Sequence, residues 1–348
     1  MTAQARPAGE RRAYIECLRI LAAFLVIVNH TNSPIFQLSQ PSRTWFASLT
    51  YFFISKTAVP IFLMISGALL LDRQDPPRRT LARIARTAGM TVLFSVAYYL
   101  YQHRAAPGEM RAADFLLTIL SGPITNAFWY LYLYLGLLCM LPLLQRMAAA
   151  FSRQALRLLL ALCLGVAGVL PLLPLVLPIE RVADFTQAFL SPYIGMAFAG
   201  LYIERHVTLD NRKCLAAGAL FALLIAFQVV VTWLLYRAHA PNYLALDDRT
   251  LLPITAGAAC LYVIVKHLFS SVRLPDRLRQ AVCRIGSLTF GVYLLSDLAR
   301  VLTRPVYEAL CLRMNALIAV FLWQVLIFLA AAAVTALLRR LPGLRKWL

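Results

Sequence analysis

The sequence predicts an all-α, polytopic integral membrane bundle of about ten transmembrane helices, and two observations carry that expectation. Apolar residues make up 61% of the 348 positions and charged residues only 14%, against about 45–50% and about 25% in ordinary soluble domains. A soluble interior of this chain length cannot hide so much apolar side chain, whereas lipid can. The apolar residues also fall in runs of about 20, the length that crosses a bilayer as a helix, separated by short basic segments. The whole chain, 1–348, therefore reads as one membrane domain.

Taken in order, the expected spans are 13–32, 44–71, 80–101, 126–147, 154–177, 186–203, 213–236, 250–270, 283–303 and 314–338. The first is too long for a cleavable leader and carries Glu16 and Arg19, so it reads as a retained span. Pro60 is expected to kink the second and Pro142 to bend the fourth near its end, because proline lacks the helix-bonding N–H. Residues 112–120 are too few to cross and are expected to lie along the surface. Pro171, Pro174 and Pro178 make the end of the fifth span the hardest boundary to place. No repeat of fixed period is visible, nor are paired broken helices of the kind that mark many secondary transporters.

Charge sets the orientation. With the N-terminus inside, the inner connections hold twenty-three Lys and Arg and the outer ones nine. That asymmetry fits the positive-inside rule and predicts a multi-pass protein of the cell membrane with both termini cytoplasmic. The net charge of +19 does not indicate nucleic acid, since the basic residues cluster between apolar runs rather than spreading over a face with stacking aromatics. Membrane lipid is the partner it implies. The seven cysteines are scattered without a CxxC pair or metal-ligand spacing, so they read as small apolar residues, and no metal is expected.

The first span holds the chemistry. Arg19 and His30 are eleven residues apart, three helical turns and about 20°, so they share a face with about 16 Å of rise between them. Glu16 lies three residues before Arg19 and can pair with it. Ionisable groups at membrane depth are costly unless paired or turned to a wet cavity, which makes them functional candidates as well as possible interface anchors. The imidazole of His30 is a candidate general base. Arg78, Arg79, Arg83 and Arg86, between the second and third spans, can hold phosphates by paired N–H groups or can serve only as topology signals. Trp129 and Tyr130 can stack on a sugar ring or sit at a membrane interface. Ser66-Gly67 reads as a close helix contact rather than a nucleophile. Asp297 has Arg300 three residues on and can pair with it or orient the imidazole; pairing is the reading preferred here.

Five segments, in order, resemble the membrane-bound acyltransferase family 3, which moves acyl groups onto surface carbohydrates and similar acceptors. They are Arg19 and His30 with ten residues between, Val59–Leu71 with Ser66-Gly67, the following basic stretch, Phe128-Trp129-Tyr130 through Pro142, and Ile285-Gly286 through Tyr293. Two departures are Ser296-Asp297 and Ala127, where members often carry histidine, which leaves His30 as the clear imidazole candidate. The resemblance implies a membrane O-acyltransferase, most simply an O-acetyltransferase. Its donor is then acyl-CoA, and acetyl-CoA in the simplest case. Its acceptor is a surface carbohydrate or a lipid-linked glycan. On this reading His30, Arg19 and Glu16 form the catalytic face and Arg78, Arg79, Arg83 and Arg86 receive the donor. Asn29, Trp129, Tyr130 and Asp297 then receive the acceptor. A polytopic transporter or flippase for a glycan or small molecule is the rival from another class, and a membrane sensor without catalysis is a third.

Overall fold

The computed structural model describes residues 13–348 apart from positions 107, 109, 178, 180, 181, 183–190, 272–274, 346 and 348. Among the described residues all regular structure is helical. α1 (Ala13–Thr31) is followed by a single-turn α2 (Ser33–Gln37), then α3 (Arg43–Lys56) and α4 (Ala58–Leu70). The break between α3 and α4 falls at Thr57, three residues before Pro60. The proline ring collides with the carbonyl four residues back, that of Lys56, and ends the first segment there. α5 (Pro77–Gln102) leads to α6 (Ala112–Ser121), which has no buried residue and presents Leu116, Leu117 and Leu120 outward, as a helix lying along a surface does. α7 (Trp129–Ala150) runs on through Pro142.

The fifth expected span is a composite. α8 (Arg153–Leu160) passes into a π-helical stretch over Ala161–Val166, a brief α9 (Ala167–Val169) and 3₁₀ winding over Leu170–Leu175, where Pro171 and Pro174 withhold N–H donors. Pro178 and the expected start of the sixth span at 186 lie outside the described residues. α10 (Pro192–His206) begins with Pro192 at the first helical position, and the Ser191 side chain accepts the Tyr193 N–H, a common helix start. α11 (Asn211–Arg237), α12 (Leu252–Ser271), α13 (Asp276–Leu302), α14 (Arg304–Cys311) and α15 (Ala316–Leu338) complete the chain.

Eight of these segments are long and apolar enough to cross a membrane: α1–α2, α3–α4, α7, α8 with its continuation, α11, α12, α13 and α15. α5 is the ninth expected span. It has the length, at about 39 Å for 26 residues, but its first three turns carry Arg78, Arg79, Arg83 and Arg86, which lower its apolarity. α10, the tenth, is described for 15 residues and is enclosed by protein, with Gly195–Leu201 and Ile203 all buried.

α1 is the central helix. It packs against α13, α4, α3, α12 and α15, and eleven of its 19 residues are buried. Small residues let the neighbours come close. A Cβ on Gly286 of α13 would stand 2.7 Å from the Cβ of Glu16. The α4–α10 crossing is tighter still: a Cβ on Gly67 would meet the Ala197 carbonyl oxygen at 1.7 Å, and one on Gly200 the Met64 carbonyl oxygen at 1.9 Å. The reading of Ser66-Gly67 as a helix contact agrees with this, and Ser66 Oγ donates to its own helix at the Phe62 carbonyl (2.9 Å). At one end of the bundle Glu204 of α10 accepts from Tyr14 (2.9 Å) and Tyr262 (3.0 Å) and pairs with Lys266 (3.2 Å), tying α1, α10 and α12 together. α11 is mostly apolar and little buried, the composition of a lipid-facing helix.

The crossing yields a test. Gly200→Val should abolish the folded protein, since the added atoms would overlap backbone rather than a flexible side chain and cost well above the roughly 1–3 kcal/mol of ordinary overpacking. Gly218→Ala, where nothing lies within 4 Å of the new Cβ, should leave thermal stability in detergent within about 0.5 kcal/mol. Normal folded yield for Gly200→Val in size-exclusion and thermal-unfolding measurements would show that α4 and α10 do not meet this way.

Candidate active site

Two cavities lie in line along α1 and abut at a pair of tyrosines. The larger, about 420 Å³, is lined by Arg19, Arg83, Arg86 and Arg339 together with apolar and aromatic side chains of α4, α7 and α13. The smaller, about 90 Å³, is lined by His30, Asn29, Lys56, Asp247, Arg249 and Trp129. Tyr130 and Tyr293 line both. Their rings meet edge to face at 5.9 Å, and the Tyr293 hydroxyl donates to the Ala127 carbonyl, so α7 and α13 hold the neck between the cavities. Tyr130 also stacks on Tyr134 and contacts Phe62 and Trp129. The eleven-residue interval along α1 thus puts Arg19 into one cavity and His30 into the other.

In the larger cavity Arg19 donates to the buried Glu16 carboxylate (3.0 Å), the pair expected from their spacing. Arg83 donates to Asp75 (2.6 Å), whose carboxylate also accepts from Gln145. Arg86 donates to the Trp347 carbonyl (2.8 Å), and Arg339 to the Ser287 hydroxyl and carbonyl. The four expected donor-side arginines therefore separate. Arg83 and Arg86 face the cavity, while Arg78 and Arg79 are exposed and do not line it; Arg79 stands 3.5 Å from Asp75 on the outer side. Arg78 is about 100° out of phase with Arg83 and Arg86, whereas Arg79 shares their face but sits about one to two turns nearer the helix start, beyond the cavity lining. Arg339 was missed in the sequence, where it is simply the first basic residue after the last apolar run.

In the smaller cavity the His30 side chain makes no hydrogen bond among the described residues. Asn29 Oδ1 is buried and has no hydrogen-bond partner. Lys56 pairs with Asp247 (3.2 Å) and lies over the Phe52 ring (4.1 Å). A void of about 10 Å³ touches His30 from the other side and is bounded by Ile27, Ser296, Asp297 and Arg300. Asp297 reaches this void but not the imidazole: Arg300 donates to Oδ1 (2.7 Å) and Thr125 to Oδ2. The preferred pairing with Arg300 is thus found, with Thr125 as an unforeseen second partner. Asp247 and Arg249 were likewise not foreseen as cavity residues, because they arrive from the connection before α12.

The comparison with known families gives the class of enzyme. A family model described as an acyltransferase domain, that of acyltransferase family 3, matches residues 12–340. The chain belongs to that family. It is a membrane acyltransferase, a transferase acting on acyl groups, and the family match runs over nearly all of the bundle rather than over one part of it. No curated protein and no solved structure matches the chain.

Asp75, in the connection between α4 and α5, offers a pH test. The hydrogen bond from Arg83 holds its carboxyl below the usual carboxylate value, outweighing the opposite effect of burial. A group with a lowered folded-state pKa stabilises the protein above its unfolded value and loses that contribution as the pH falls through the folded value. The stability difference between the native protein and Asp75→Asn should therefore be steady at roughly 1–3 kcal/mol above about pH 5 and shrink below about pH 4. Thermal unfolding in detergent across that range measures it, and a difference that grows on acidification would contradict the assignment.

Proposed function

We propose that this acyltransferase moves an acyl group, most simply acetyl, from acyl-CoA to a hydroxyl of a surface carbohydrate or lipid-linked glycan. The observation that carries the reading is that one helix lines two abutting cavities, with arginines at one end and an unpartnered imidazole at the other. Four guanidiniums around one cavity suit a donor rich in phosphate, because planar N–H pairs bind phosphate oxygens bidentately. The long pantetheine arm of coenzyme A then points its thioester along α1 toward the tyrosine neck. The acceptor hydroxyl occupies the smaller cavity. His30 takes the hydroxyl proton as the oxygen attacks the thioester carbonyl; the C–O bond forms, the C–S bond breaks, and the departing thiolate recovers a proton. Arg19 stays with Glu16 and helps to hold the donor, and Trp129 and Tyr130 supply apolar faces for a sugar. Asn29 offers an acceptor oxygen to a second hydroxyl, and Asp297, engaged by Arg300 and Thr125, steadies the wall behind His30.

The loop-charge asymmetry supports an orientation in the cell membrane with both termini cytoplasmic. The arginine-lined cavity then faces the pool that supplies acyl-CoA, and the His30 cavity lies toward the outer surface, where the glycan is.

Two measurements on purified protein test the assignment of roles. His30→Ala should lower transfer by at least roughly 10²–10⁴-fold while acyl-CoA still binds; Arg19→Ala should weaken donor binding, and Arg19→Lys should restore it poorly, because an ammonium lacks the planar fork. A stable His30→Ala protein with near-normal turnover would remove the base. Among the arginines, Arg83→Gln with Arg86→Gln should weaken coenzyme A binding by about tenfold or more, and Arg78→Gln with Arg79→Gln should change it little. The reverse ranking would move the donor out of the larger cavity.

A further inference from the structure

Charge in the His30 cavity is unbalanced, and the surplus sits on one side chain. Lys56 is neutralised by Asp247 at 3.2 Å. Asp248, the remaining carboxylate of that connection, is exposed, does not line the cavity and accepts from the Thr250 N–H and hydroxyl, both at 2.9 Å. Arg249 has no carboxylate partner and no side-chain hydrogen bond among the described residues. Its guanidinium carbon lies 3.9 Å from the centroid of the Trp129 ring. Stacking of this kind covers one face of the guanidinium and leaves its N–H edge free. A half-buried guanidinium whose five N–H donors no described protein group uses is an open place for an anion.

Resting on the reading of this cavity as the acceptor site, we infer that the acceptor is anionic: a sugar unit whose hydroxyl meets His30 while a carboxylate or phosphate on the same unit is bound bidentately by Arg249. Three things on the page support one occupant for the whole cavity. Arg249 and His30 line the same small space. The unpartnered Asn29 Oδ1 beside His30 accepts a hydroxyl, a group that sugars carry on adjacent carbons. Trp129 lines the same space and holds the Arg249 guanidinium against its ring, which fixes the cation beside the occupant. A neutral sugar would leave the guanidinium unanswered, and a bare anion would leave Asn29 and His30 unused.

Binding of three probes to the purified full-length protein tests the inference without requiring turnover: methyl glucoside, methyl glucuronide and glucose 1-phosphate, followed by calorimetry. Both anionic probes should bind at least about tenfold more tightly than the neutral one, the worth of a charge-assisted bidentate contact. The carboxylate and phosphate arms also show which anion is preferred. Arg249→Gln should erase the preference, and Arg249→Lys should restore only part of it; acetyl-CoA binding at the other cavity certifies that each variant is folded. Equal binding of the three probes, binding of none, or an undiminished preference in Arg249→Gln overturns the anionic acceptor. The general-base reading fails separately, through active His30→Ala protein.

Discussion

Everything in this molecule follows from the cost of placing charge inside a bundle surrounded by lipid. An ionisable side chain at that depth must find a partner or face a cavity, since no bulk water compensates it. Most of the buried charge is paired: Glu16 with Arg19, Lys56 with Asp247, Glu204 with Lys266 and two tyrosines, Asp297 with Arg300 and Thr125. The Glu204 cluster ties α1 to α10 and α12, Lys56–Asp247 ties α3 to the connection before α12, and the Glu16–Arg19 and Asp297–Arg300 pairs stiffen α1 and α13 from within. Three of the polar groups left over, on His30, Asn29 and Arg249, line one small cavity, while others such as Trp45 Nε1, Ser95 Oγ and Thr232 Oγ1 lie elsewhere in the bundle.

The packing that creates the two cavities depends on close backbone approach elsewhere. Gly67 and Gly200 let α4 and α10 cross at a separation that no Cβ permits, and Gly286 brings α13 onto Glu16. Those contacts draw α4 and α13 around α1 and leave the space between them to be filled by tyrosines of α7 and α13. Tyr130 and Tyr293 then form the neck, and the aromatic contacts of Tyr130 with Phe62, Trp129 and Tyr134 keep that neck rigid. On the proposed reading, donor and acceptor are held in separate compartments and the reacting atoms meet at the junction.

Several features were legible from local pattern because their cause is local. Apolar runs of bilayer length located the spanning helices, and ten residues between Arg19 and His30 put both on one face of α1 by helical geometry alone. The break before Pro60, the surface helix over 112–121 and the Glu16–Arg19 and Asp297–Arg300 pairs also follow from neighbours within four residues. The five ordered motifs reached the family itself. Where the sequence read too simply, the physics was mixed: the fifth span winds through π and 3₁₀ turns, and α5 is long enough to span yet loses apolarity to its arginines.

By itself the sequence determined the helical membrane architecture, the face shared by Arg19 and His30, and membership of an acyltransferase family, because periodicity and residue order need no knowledge of distant contacts. Only the tertiary structure decided which charges matter together. It turned Arg83 and Arg86 inward and left Arg78 and Arg79 outside, and brought Arg339 from the end of α15 to the same cavity. It carried Arg249 from a connecting segment onto Trp129, and it gave Asp297 a second partner in Thr125. These groups are separated by tens to hundreds of residues. What joins them is the packing of helices whose loops record nothing of the distance between them.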